Sequence, residues 1–128
     1  MAKAKEFKFR VPDAPGKLGE ITSALAAKKV NLRAINAWVE GTEGVIRLVA
    51  DKPAAAKKIL GKSGFQVEEK DVLELELPDK PGTLAAVTTK LGQAGINIGH
   101  VMIGTAPARK CTVFLGVPDI KAAAKAAR

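Results

Sequence analysis

The residues of this chain best suited to hold a small molecule occur twice. Val11-Pro12-Asp13-Ala14-Pro15-Gly16-Lys17-Leu18 and Leu77-Pro78-Asp79-Lys80-Pro81-Gly82-Thr83-Leu84 carry one pattern, Pro-Asp-x-Pro-Gly-x-Leu, 66 residues apart. A glycine just before a helix brings unpaired backbone N–H groups and the positive end of the helix dipole to one spot, which favours a carboxylate. Asp13 or Asp79 can pair with an ammonium group. The carboxamides of Asn31 and Asn97, which also match at this spacing, offer donors and an acceptor. Such a set suits a zwitterion. Read structurally, the same motif is a turn with Asp as helix cap, and the two asparagines serve the backbone where a helix ends.

His100 and Cys111 are the only residues of their kinds. Two candidate ligands do not make a metal site, and a nucleophile would need an orienting base. The expected hairpin places Cys111 nearest Met102, displacing His100 from it, so neither a metal nor a catalytic role is assigned. No cofactor is implied.

The motif repeat belongs to a longer one. Over 26 positions at this offset there are eight identities, including Thr22/Thr88 and Leu25/Leu91, and the apolar pairs Ile21/Val87, Val30/Ile96, Leu32/Ile98 and Ile35/Val101 match in kind. One unit is used twice. Phe7, Phe9 and Val11 alternate with Lys8 and Arg10, as Leu73, Leu75 and Leu77 do with Glu74 and Glu76, which predicts strands buried on one face. Leu18, Ile21 and Leu25, matched by Leu84, Val87 and Leu91, predict a helix after each turn. Residues 31–39 and 96–103 read as second strands, and 45–50 and 111–117 as third strands. Ala-rich helices open near Pro53 and Asp119. Residues 65–69 can add a fourth strand, but nothing after Arg128 can do so for the second unit.

This order is α+β and ferredoxin-like (βαββαβ), with the helices on one face of an antiparallel sheet. The expected units are residues 1–69 and 70–128. The duplicated Pro-Asp-x-Pro-Gly-x-Leu motif, the Asn opening each second strand and the unit size together resemble ACT domains, over nearly the whole chain. The resemblance implies a tandem, non-enzymatic regulatory protein that binds an amino acid or similar ligand where two units meet side by side. It further implies a homodimer, or a partner enzyme or regulator that receives the signal. Both repeats fill the chain and leave no room for a catalytic domain.

Topology constrains the site. First and second strands run parallel in this fold, so Asn31 starts at the end of the sheet opposite the Asp13–Leu18 turn. One unit cannot close both around a small ligand. Antiparallel pairing of second strands brings the Asn of one unit beside the turn of another, giving expected pockets from Asp13, Ala14, Pro15, Gly16, Lys17 and Leu18 with Asn97, and from Asp79, Lys80, Pro81, Gly82, Thr83 and Leu84 with Asn31. Lys17 against Thr83 and Ala14 against Lys80 make the two loops unequal. The junction raises a difficulty: pairing within one chain separates the end of residues 65–69 from the start of the next strand by about 29 Å, whereas two or three residues span at most ~11 Å. Either residues 65–69 form a hairpin with residues 72–77, the preferred solution because it fills an open edge, or the units pair between chains.

Composition sets the remaining bounds. At 128 residues and 47% hydrophobic, the chain folds; its single cysteine excludes a disulfide framework and, with no apolar stretch at the start, points to a reducing, cytoplasmic setting. No apolar run reaches the ~18 residues of a membrane span. The net charge of +8 raises nucleic acid as a partner, with 14 basic and 8 acidic residues in 1–70. Phe7 and Phe9 correspond to Leu73 and Leu75, which cannot stack on bases, and Lys8 and Arg10 correspond to Glu74 and Glu76, so nucleic acid is disfavoured. An acyl-phosphate-type hydrolase on the same fold is the other alternative, but Arg10, Arg33 and Arg47 do not converge in the sequence. Trp38 is expected to pack against the hairpin that follows it.

Overall fold

The computed structural model describes residues 2–128, and of Ala2 the backbone alone. Its elements run β1 (Ala2–Pro12), α1 (Lys17–Ala27), β2 (Leu32–Glu40), β3 (Glu43–Ala50), α2 (Pro53–Lys62), β4 (Glu68–Pro78), α3 (Thr83–Gln93), β5 (His100–Gly104), β6 (Lys110–Gly116) and α4 (Ile120–Ala126). Two compact units emerge: Lys5–Lys70, and Asp71–Arg128 together with Ala2–Ala4. No helix among the described residues is long and apolar enough to cross a membrane.

Within Lys5–Lys70 the strand order is β2-β3-β1, followed by the first residues of β4. β1 and β2 both pair antiparallel with β3, so they run parallel to each other. Alternation puts Phe7, Phe9 and Val11 on one face with Leu48 and Ile46. Ile21 and Leu25 of α1, with Ala56 and Leu60 of α2, cover that face and close the core. Phe65 stacks on Phe9 with ring centroids 5.3 Å apart. α1 ends when Lys29 takes a left-handed φ of 58° and Val30 N–H returns to the Leu25 carbonyl at 3.0 Å. β2 and β3 meet through the turn at Gly41 and Thr42, where Gly41 supplies φ 62°.

The second unit repeats this plan. Its order is β5-β6-β4, and its core packs Val87 and Leu91 of α3 and Ala123 of α4 on Leu73, Val113 and Leu115. Asp119 caps α4 by accepting from Ala122 N–H at 3.1 Å. Ala2–Ala4 group with this unit, where Lys3 Nζ lies 3.7 Å from Asp71 Oδ2.

Four expectations are corrected. Residues 65–69 and 72–77 do not form a hairpin: β4 is one uninterrupted strand from Glu68 to Pro78, and Glu69-Lys70-Asp71 adopt none of the positive φ values a tight reversal requires. The second strand of the second unit starts at His100 rather than Ile96; before it, Ile96 N–H turns back to the Leu91 carbonyl at 2.9 Å. Met102 lies opposite Phe114, not Cys111, because Thr112 Oγ1 donates to the Thr105 carbonyl at 2.8 Å and Arg109 adopts φ 64°, which lengthens the loop. Leu18, expected in the apolar stripe of α1, is exposed.

Candidate functional site

The duplicated turns share one backbone conformation. Gly16 has φ 87° and ψ −10°, and Gly82 has φ 93° and ψ −15°; each is the N-cap of its helix. A Cβ at either glycine would meet nothing within 4 Å, so the requirement for glycine is the left-handed φ alone. Neither helix has a side-chain cap, which removes the structural reading of Asp13 and Asp79 as caps. Their backbones tie each turn to the facing hairpin instead: Asp13 N–H donates to the Thr42 carbonyl at 3.2 Å, and Asp79 N–H to that of Arg109 at 2.9 Å. Both carboxylates are exposed.

The first helical turns leave donors free. Lys17 N–H reaches the Ala14 carbonyl at 3.3 Å and Glu20 N–H that of Gly16 at 2.9 Å. Between them, Leu18 and Gly19 N–H have no acceptor among the described residues. In the second unit the equivalent unmatched pair is Leu84 and Ala85. These are the groups on which an anion would sit.

The loops then diverge as their sequences differ. Thr83 Oγ1 donates to the Pro78 carbonyl at 2.8 Å and lies 3.1 Å from that of Lys80, which ties the second loop to itself. At the matching place Lys17 carries a cation over the start of α1, 3.4 Å from Glu20 Oε2.

In the Lys5–Lys70 unit a cavity of about 200 Å³ opens beside the turn. One wall comes from Asp13, Ala14, Lys17 and Leu18, and the other from Ala37, Trp38 and Val39 of β2, over Val11, Val45 and Ile46. Four of the expected residues thus meet in one space, while Pro15 and Gly16 shape the turn from outside it. The β2 wall was missed by the sequence reading; its signal is the alternation of Ile35, Ala37 and Val39, which share a face with Leu48, Ile46 and Gly44. A larger cleft of about 580 Å³ runs between Lys8–Arg10 and Gly64–Glu68. Its guanidinium, Arg10, is already paired with Glu40 and Glu43, so the smaller cavity is the better candidate.

Asn31 lies at the far end of its unit. Val11 stands beside Gly44 and Gly44 beside Val39, whereas Leu32, next to Asn31, stands beside Ala50. The backbone of Asn31 is bound in both directions to Asp51, donating to Oδ1 at 2.9 Å and accepting from its N–H at 2.9 Å. Its carboxamide makes no hydrogen bond among the described residues, and neither does that of Asn97. The helix ends before them are closed by backbone bonds and, at α1, by Lys52 Nζ, which donates to the Lys29 carbonyl at 2.9 Å, so neither amide serves that purpose.

β2 and β5 each end their unit's sheet, and each presents apolar side chains there. Val39 is 56% exposed and Ile103 58%, with Ile35 and Val101 also open. Unpaired edges of this composition are suited to adding a further strand. Among the described residues no group of three His, Cys, Asp or Glu could hold a metal ion.

The ACT domain family model matches residues 72–128. No curated protein matches the sequence. Among solved structures, a protein from Bacteroides thetaiotaomicron superposes with a TM-score of 0.87 at 26% identity, over 97% of this chain and 85% of its own. The regulatory subunit of aspartate kinase from Thermus thermophilus, in its ligand-free form, gives 0.69 at 20% identity over 98% and 89%. The corresponding subunit from Thermus flavus gives 0.68 at 19% over 98% and 90%. The α+β fold of these structures therefore extends across nearly the whole of this chain, including the unit outside the family match.

Proposed function

We propose that this chain is a tandem ACT protein with a regulatory role, binding an amino acid between the β1–α1 turn of one copy and the asparagine of another. The observation that carries this reading is the cavity beside Asp13–Leu18. It combines unmatched N–H groups for a carboxylate, the Asp13 carboxylate for an ammonium, and apolar walls from Val11, Leu18, Ala37 and Val39 for a side chain. Its size, about 200 Å³, suits a small aliphatic amino acid.

The missing wall comes from a second copy. Antiparallel pairing of β2 with the partner's β5 covers the exposed Val39 and Ile103 edges and extends the partner's residues before His100 past the end of β2, bringing that copy's Asn97 to the turn. The reciprocal arrangement brings Asn31 to Asp79–Leu84. The ACT match to residues 72–128 and the likeness to aspartate kinase regulatory subunits support a regulatory rather than catalytic protein.

A thermal-shift panel of the twenty amino acids tests the reading. A ligand at one hundred times its Kd adds about 2.7 kcal/mol of stability. A shift from one or a few amino acids, lost in Asn97→Ala and retained in a variant of an exposed residue such as Lys121→Ala, is expected. No shift from any of them would overturn it.

A further inference from the structure

We propose that the groove between α1 and α2 is a docking surface for an acidic protein segment that inserts aliphatic side chains. The inference goes beyond amino-acid binding and stands whether or not the β1–α1 turn holds a ligand. The groove has a volume of about 490 Å³. Its floor is Ala24, Ala55 and Ile59, all half-buried, and its rim is Lys28, Lys58 and Lys62, all exposed.

Three features separate this surface from an ordinary solvated face. First, the rim lysines are unpaired. Lys17 and Lys57 on the same helices have Glu20 and Glu69 within 4 Å, but Lys28, Lys58 and Lys62 have no carboxylate partner among the described residues. Second, the cations converge. Lys58 and Lys62 are one turn apart and repel each other across the same side of α2, and Lys28 joins them from α1. The helix C-terminal dipole accounts for Lys62 and Lys28, near their helix ends, but not for Lys58.

Third, the duplicated unit provides an internal control. In its helices Ala94 stands for Lys28 and Ala126 for Lys58. Lys90, which replaces Ala24 of the floor, donates to the Arg128 carbonyl at 3.0 Å. The second unit thus forms the same helix layer with alanine at two of the rim positions and Lys90 at a floor position, so the fold does not require the composition of the groove.

The chemistry of the groove selects among anionic partners. Its apolar atoms are recessed below the lysines, so they receive a protruding side chain and cannot themselves enter a bilayer. It holds no aromatic ring or guanidinium on which a base could stack. An amphipathic acidic helix meets both demands, with leucines one turn apart filling the floor and glutamates facing the rim. Such a surface gives a regulatory chain a place to engage the protein it controls.

Fluorescence anisotropy on the full chain tests this with a labelled helical peptide bearing leucines at i, i+4 and i+7 among glutamates. Companion peptides carry Leu→Ser or Glu→Gln changes. Saturable binding is expected, weakened about tenfold or more by either peptide change and by Lys58→Glu/Lys62→Glu. Lys121→Glu/Lys125→Glu in α4 should bind as the parent does. Amide shifts on peptide addition should centre on Ala24, Ile59 and Lys62, and circular dichroism should show both variants folded. Absence of binding, equal binding of the Leu→Ser peptide, or equal binding by Lys58→Glu/Lys62→Glu would overturn the proposal. So would a response confined to phosphatidylserine vesicles or duplex DNA.

Discussion

The indole N–H of Trp38 donates to Glu40 Oε2 at 2.8 Å. Two residues apart on β2, the side chains share a face, and Arg10 donates to the other oxygen, Oε1, at 2.9 Å. Arg47 lies over the Trp38 ring, 5.4 Å from its centroid. The ring is therefore held against the hairpin while its backbone segment forms the cavity wall. The Trp38 hydrogen bond, followed by that from Arg10, holds the Glu40 carboxyl below its usual range.

This cluster has an optical readout, because Trp38 is the only tryptophan. A carboxyl depressed in the folded state contributes stability that is present above its unfolded value and is lost as pH falls through the folded one. Trp38 emission should thus change in acid with a midpoint below the ordinary glutamate value of about 4.3. Glu40→Gln should abolish that step while leaving the neutral-pH spectrum close to the parent. A midpoint at or above the ordinary value would contradict the geometry.

The two turn glycines lead to a paired prediction. Each holds a left-handed φ with open space around a would-be Cβ, so alanine meets conformational strain but no clash. Gly16→Ala and Gly82→Ala should each lower stability by about 1–2 kcal/mol in urea melts, and by similar amounts. A much larger loss at one of them would mean that its turn is packed in a way the open space denies.

Helix ends at matched positions test the same physics with opposite signs. Lys29 closes α1 at φ 58°, whereas its counterpart Gly95 closes α3 at φ 74°. Lys29→Gly should raise the unfolding free energy by up to about 1 kcal/mol, since relief of Cβ strain outweighs the entropy of glycine in the unfolded chain. Gly95→Ala should lower it by a like amount. Thermal melts of both variants decide.

Much of this was legible in the sequence wherever one physical signal dominated. Phe7, Phe9 and Val11 alternate and are buried; Ile21 and Leu25 recur at helical spacing and are buried. That Asn31 and the Asp13 turn lie at opposite ends of one unit followed from two strands running parallel, and the pairing of β1 and β2 with β3 shows the same. The signal failed where polar residues carried it. Glu68-Glu69-Lys70-Asp71 has neither apolar alternation nor turn residues, so nothing in it distinguishes a junction from the middle of an eleven-residue strand. Leu18 has the right helical phase, yet it lies in the first turn of α1 beside β2, the edge of its unit's sheet, where no further strand covers it among the described residues.

That uncovered edge yields the most exacting prediction. Val39 and Ile103 are more than half exposed, so replacing either by lysine removes little buried area and should leave the unfolding midpoint of an isolated copy nearly unchanged. If β2 pairs with the β5 of a second copy, however, a charge on the seam must be desolvated against aliphatic side chains. Sedimentation should then find the parent chain dimeric and Val39→Lys or Ile103→Lys monomeric. Both variants should also lose the amino-acid shift, because the turn no longer meets the other copy's asparagine. A monomeric parent that still binds an amino acid would place the whole site within one chain, and a dimer unaffected by either lysine would move the interface off these edges.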